Sequence, residues 1–157
     1  LATTLTALGR ANETPPYYRE ALAAREKVTA RAERDEIAAQ GKAGAATADK
    51  LGGVAWDALF AHDFDKARAG ARRAADLAPD LVWIKTNYAH ALMFLNRTNQ
   101  ARAMYLDYRG KQTFKGVLWE SSVLDDFSQF RRAGLVRPLM DEIEPQFRER
   151  AATPAAK

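Results

Sequence analysis

The residue types in this chain allow little chemistry. It has two histidines, His62 and His90, no cysteine, and serines only at Ser121, Ser122 and Ser128. Without cysteine there is no thiolate nucleophile, no disulfide and no thiolate-ligated zinc. Serine catalysis needs a neighbouring base and a group that orients the base, and no such series is spaced along the sequence. The run His62-Asp63-Phe64-Asp65 holds three metal-type ligands. It falls between two helical segments, however, where Asp63 is suited to cap the second. Asp125-Asp126 is a carboxylate pair, but adjacent helical residues point apart, which does not suit shared acid–base work. Gly41-Lys42-Ala43-Gly44 lacks the spacing and context of a phosphate loop. The residues therefore predict a non-catalytic protein with no catalytic residue, no metal site and no cofactor.

Charge points the same way. The chain carries 24 basic and 20 acidic residues, a net charge of +4. Bases and acids are interleaved, as in Arg25-Glu26-Lys27 and Glu33-Arg34-Asp35-Glu36, whereas a nucleic-acid binder concentrates its charge in one stripe. Arg72-Arg73 and Arg131-Arg132 read as solvated faces. No apolar run approaches the roughly 20 residues that cross a bilayer. The expectation is thus a protein or peptide partner, with no nucleic acid and no membrane, and self-association left open. Because the chain starts at Leu1 rather than Met, it reads as a processed or excised piece. The compartment is undecided, with the cytoplasm preferred and the periplasm the alternative.

The elements that must position any site are helices. Hydrophobic residues make up 47% of the chain and alanine is abundant, while Gly and Pro punctuate, a balance that favours closely packed helices. Leu1, Leu5 and Leu8 have helical spacing. Thr14-Pro15-Pro16 is a helix start. A long charged helix is expected over 17–40, with Tyr18, Ala21, Leu22, Val28, Ala32 and Ile37 roughly on one face, followed by a small-residue connection over 41–48.

An internal repeat follows. Ala55-Trp56, Ala67 and Ala71 align with Ala89-His90, Ala101 and Tyr105, each pair offset by 34 residues. Each copy reads as two helices and a turn. The first copy predicts helices over 49–61 and 64–77, with Asp63 capping the second and Pro79 stopping it. The second predicts helices over 82–95 and 98–109, capped by Asp80 and Thr98 and ended by Gly110. Ala55, Ala67, Ala89 and Ala101 sit where antiparallel helices must approach closely. Beyond Gly110 the period is lost: a loop over 111–116 is expected, then helices over 117–133 and 138–150, the last kinked or shortened by Pro145.

These residues resemble the tetratricopeptide repeat family, whose unit is a 34-residue helix-turn-helix. The first copy matches it through Leu51, Val54, Ala55, Phe64, Ala67, Ala74 and Pro79, and the second through Tyr88, Ala89, Leu92, Ala101 and Tyr105. Leu51 and Lys85 replace the family's tryptophan, Ala55 and Ala89 its glycine, and the second copy lacks the closing proline. The block is also similar to the C-terminal part of bacterial multidomain proteins that precedes a helix with a pair like Asp126-Phe127.

The resemblance implies an all-α fold of antiparallel helix-turn-helix repeats, stacked as a right-handed α-solenoid with divergent capping helices. The expected organisation is a helical cap over 1–48, two repeat units over 49–110, capping helices over 111–150 and a frayed tail over 151–157. The first helix of each unit would line a concave groove. That face carries Trp56, Leu59 and Phe60 in the first copy, and Trp83, Thr86, Asn87, His90 and Phe94 in the second. Trp56, Phe60, Trp83, Thr86, Asn87 and His90 are the expected ligand-binding residues, aromatics for contact area and an amide to grip a peptide backbone. Helical aromatics can equally be core. Gly52 and Trp56 stand where a carboxylate clamp would want Lys and Asn, so only Asn87 fits that mode. Two further expectations are a docking or self-association segment, and a regulatory appendage to an upstream catalytic domain.

Overall fold

Residues 16–39 and 44–151 are described by the computed structural model. Seven helices run through them: α1 Pro16–Ala39, α2 Gly44–Phe60, α3 Phe64–Leu77, α4 Val82–Phe94, α5 Thr98–Asp107, α6 Trp119–Arg132 and α7 Pro138–Ala151. Between α5 and α6 lies one antiparallel hairpin, β1 Gln112–Phe114 and β2 Val117–Leu118. The expected helix over 1–8 and the Thr14-Pro15 cap lie outside the described residues, as does the tail beyond 151.

Local rules explain most boundaries. In α3, Ala67, Ala71 and Ala74 are spaced four and three apart and are all fully buried, while Arg72 and Arg73 face water. The helix is a narrow alanine stripe with a charged back. Asp63 caps it, its carboxylate accepting from the Lys66 amide at 3.2 Å. Ala55, Ala67, Ala89 and Ala101 are all at 0% exposure. A Cβ placed on Gly70 would sit 3.6 Å from both the Ala55 Cβ and the Leu51 carbonyl oxygen, so α2 and α3 cross closely because both faces are small.

Helices α2, α4 and α6 end alike. His62, Asn96 and Gly134 have φ of 60°, 59° and 77°. The next amide in each case bonds a carbonyl five residues back: Asp63 to Ala58 at 2.9 Å, Arg97 to Leu92 at 2.9 Å, and Leu135 to Phe130 at 2.8 Å. This left-handed stop with a six-to-one hydrogen bond closes helix C-termini economically. It occurs 34 residues apart (62 to 96) and then 38 apart (96 to 134). The third helix pair thus repeats the earlier turn, displaced by four residues beside the hairpin. Helix α2 packs on α3 and α4, α4 on α5, α6 on α4, and α7 on both α6 and α5; α1 lies along α2.

Several sequence expectations need correction. α2 starts at Gly44, not near residue 49: Thr47 and Ala48 are buried, and Gly44 is small enough to pass the Leu77 carbonyl. Asp80 does not cap α4. Leu81 holds the cap position without a side-chain bond, and the turn is closed by backbone, with the Leu81 amide on the Ala78 carbonyl at 3.1 Å. Thr98 is the first residue of α5 and Arg97 its cap, again with no side-chain bond. Val117 and Leu118 form a strand, so α6 begins at Trp119. Its start is fixed by the Trp119 indole donating to the Tyr105 carbonyl at 2.9 Å and by Glu120 accepting from the Gly110 amide at 3.0 Å. Helix α7 continues through Pro145 to Ala151.

The main core lies between the helix layers. Leu59, Phe94, Trp119, Phe127, Phe130 and Phe147 are its large members. A smaller core of Ala48, Leu51, Ala74, Ala78 and Ile84 fills the space between α2, α3 and the start of α4.

Candidate functional site

A groove of about 370 Å³ opens on the face shared by α2, α4, α6 and the hairpin. α4 supplies Trp83, Thr86 and Asn87; α6 supplies Ser122, Asp125, Asp126 and Gln129 at the same three-one-three spacing as 83, 86, 87 and 90. Residues so spaced share one stripe of a helix. Trp56 from α2 and Phe114 and Val117 from the hairpin complete the walls.

The aromatic walls are held from behind. Trp83 stacks on Phe114 with ring centres 6.1 Å apart and an interplanar angle of 17°. Its far edge lies over Gly52, where an added Cβ would come within 2.9 Å of Cζ3, so a glycine in α2 lets the indole lie against that helix. Trp56 rests on Phe60 and Phe130, with centroids 5.0 and 5.4 Å away. Both tryptophans keep part of their surface in solvent. The Asn87 amide donates to the Gly52 carbonyl at 2.9 Å, and the Thr86 hydroxyl to the Trp83 carbonyl at 2.6 Å. The hairpin is tied to α6 by Thr113 and Ser122, whose hydroxyl oxygens are 2.5 Å apart.

Beneath the groove runs a buried polar chain. His90 is fully buried; its Nδ1 is 2.8 Å from the Tyr105 hydroxyl and its Nε2 is 3.0 Å from Asp126 Oδ2. Burial, reinforced by the negative charge of Asp126, pushes the Tyr105 phenol well above its ordinary pKa, so it stays a neutral hydroxyl. One assignment fits both contacts: Tyr105 donates to Nδ1, and Nε2–H donates to Asp126 Oδ2. The chain links α5, α4 and α6, and it presents the edge of Asp126 to the groove.

Of the six sequence-selected residues, Trp56, Trp83, Thr86 and Asn87 line the groove and Phe60 and His90 do not. Phe60, at 5% exposure, is packed against Tyr18, Trp56 and Phe130. Leu59 and Phe94, placed on the same face by spacing, are core. The reason is α6, whose Phe127 and Phe130 cover that end of α2 and α4. Asp125 and Asp126, set aside as pointing apart, both border the groove. Phe114, Val117, Ser122 and Gln129 were not anticipated at all. The matching spacing on α6 was the signal that could have found Ser122 and Gln129.

At the first interhelical turn, each side chain of the His62-Asp63-Phe64-Asp65 run has another partner. His62 stacks on Phe64, and burial together with the charge of Arg137 pulls its pKa down. Asp63 caps α3 and pairs with Lys66, and Asp65 pairs with Arg68. Among the described residues no group of three or more His, Asp or Glu side chains could hold a metal ion, and no helix is long and apolar enough to cross a membrane. No protein-family model, curated protein or solved structure gives a significant match to this chain.

Proposed function

We propose that this chain is a non-catalytic helical-repeat module of the tetratricopeptide type, its helix pairs stacked as a right-handed superhelix, and that it holds an extended peptide segment of a protein partner. The observation that carries this reading is the groove, where Thr86 and Asn87 are tied down by hydrogen bonds while Trp56 and Trp83 stay partly exposed and Phe114 is exposed. Aromatic side chains fixed in place supply contact area at low entropy cost, which is what binding hot spots require. The three equivalent helix stops and the buried alanines at the crossings support the repeat assignment.

Selection from a displayed library of random dodecapeptides tests the reading. Peptides enriched on the folded protein should bind with micromolar affinity in fluorescence anisotropy. They should lose about tenfold on Trp83→Ala, as expected for ~1.4 kcal/mol at a contact residue. Equal binding to the variant, or no enrichment, overturns it. A second reading, self-association, is favoured by the hairpin, where Phe114 is 55% and Leu118 43% exposed. Sedimentation equilibrium distinguishes it: a Phe114-dependent dimer would place a second copy on this face.

A further inference from the structure

We infer that the groove selects a cationic side chain, and specifically an arginine, at the position between the tryptophans and Asp125. The inference rests on the reading of the groove as a peptide site and names the chemistry of its occupant. The chain as a whole is basic, yet this groove is lined by two carboxylates and by no lysine or arginine. Asp125 is exposed at the rim, and among the described residues neither it nor Asp126 forms an ion pair with Lys or Arg. Asp126 is held through one oxygen by His90 at 3.0 Å, so its orientation is fixed before any ligand arrives. Trp56, Trp83 and Phe114 line the same groove as these acids, and both tryptophans keep part of their surface in solvent.

Aromatic faces attract cations through the ring quadrupole, and tryptophan does so best. A guanidinium is planar and weakly hydrated. It can lie against an indole while its N–H fork reaches a carboxylate, whereas an ammonium does only the second well. Gln129 on the same wall offers a further acceptor for the remaining donors. An acidic peptide would meet two like charges in a partly desolvated groove, a costly arrangement.

The test is a nuclear magnetic resonance titration of the isotope-labelled whole chain with N-acetyl-arginine methylamide. The neutral isostere N-acetyl-citrulline methylamide and the lysine analogue form the comparison arms. The indole N–H signals of Trp56 and Trp83 should move saturably with the arginine probe. That of Trp119, fully buried and bonded to the Tyr105 carbonyl, should stay as an internal reference. Citrulline should bind at least fivefold more weakly and lysine in between. Asp125→Asn, which alters an exposed side chain, should weaken the arginine probe about fivefold, and added salt should do likewise.

Equal binding of arginine and citrulline, or no change in Asp125→Asn, overturns the inference. If library peptides still depend on Trp83 while exchanging their arginines for citrulline changes nothing, the cation preference is wrong and the groove stands. If neither peptides nor probes move the Trp56 and Trp83 signals, the peptide-site reading fails and takes the inference with it.

Discussion

Replacing His90 with alanine should destabilise the fold severely, although the residue touches no ligand. The imidazole has no exposed surface, and it satisfies the Tyr105 hydroxyl at 2.8 Å and Asp126 at 3.0 Å. Removing it leaves the phenol, itself at 0% exposure, with only the weak acceptor Met93 Sδ at 3.8 Å. An unsatisfied buried hydroxyl costs about 1–3 kcal/mol. The lost ring also forfeits its edge contact with Phe130, centroids 4.9 Å apart, and opens a cavity, adding about 2–3 kcal/mol. The total, about 3–6 kcal/mol, is a large part of the ~5–15 kcal/mol typical of a domain. Urea unfolding followed by circular dichroism measures it. A cycle with Tyr105→Phe isolates the polar part: once His90 is gone, removing the phenol oxygen should be less harmful than in the wild type, with a coupling of about 1–2 kcal/mol. A loss below about 1 kcal/mol, or additivity within ~0.3 kcal/mol, would refute the buried-chain argument.

Three other perturbations have defined outcomes. Gly52→Ala places a methyl against the Trp83 ring; the gain of about 0.5–1 kcal/mol in helix propensity should be offset by that clash. The urea midpoint should therefore hardly move while Trp83 fluorescence and peptide binding change, and unaltered binding would count against the close approach. Tyr18 has its pKa raised from 10.0 to about 12 by burial, by its hydrogen bond to Tyr17 and by nearby negative charge from Tyr17 and Asp57. The folded state therefore keeps a proton that the unfolded chain loses first, and its stabilising effect, full below pH 10, fades between pH 10 and about 12. Tyr18→Phe should flatten that slope in a pH series of urea midpoints, and an identical slope contradicts the assignment. Pro145→Ala restores an amide able to bond the Asp141 carbonyl within α7, and should raise stability by about 1–3 kcal/mol. No rise in melting temperature would mean that the helix has already adapted around the proline.

Much of the helical scaffold was legible because small residues report crossings. Ala55, Ala67, Ala89 and Ala101 are buried where the repeat spacing put them, and Asp63 caps α3 as its position after the turn implied. The likeness of the turn at Gly134 to those at His62 and Asn96 was not legible, because the hairpin displaces it by four residues and periodicity searches need constant spacing. The hairpin itself carries a signal, Lys115-Gly116 between Phe114 and Val117, with Gly116 at φ 78°: a glycine at the second central position is what a turn with positive φ there requires. Half of the groove was invisible for a different reason. Whether a helical aromatic is open or covered depends on what crosses it: α6 buries His90 and, together with Tyr18 of α1, Phe60, while Trp56 and Trp83 keep part of their surface in solvent. Nothing local in α2 or α4 encodes that difference.

A crystal structure of the whole chain with its tightest library-selected peptide tests the central claim most directly. The account predicts an extended peptide in the groove between α4 and α6, with a side chain against Trp56 and Trp83 and a cation at Asp125. A peptide seated elsewhere, for example in the cleft of α1 and α2 beside Val28 and Gly53, with the tryptophans still bare, would contradict it.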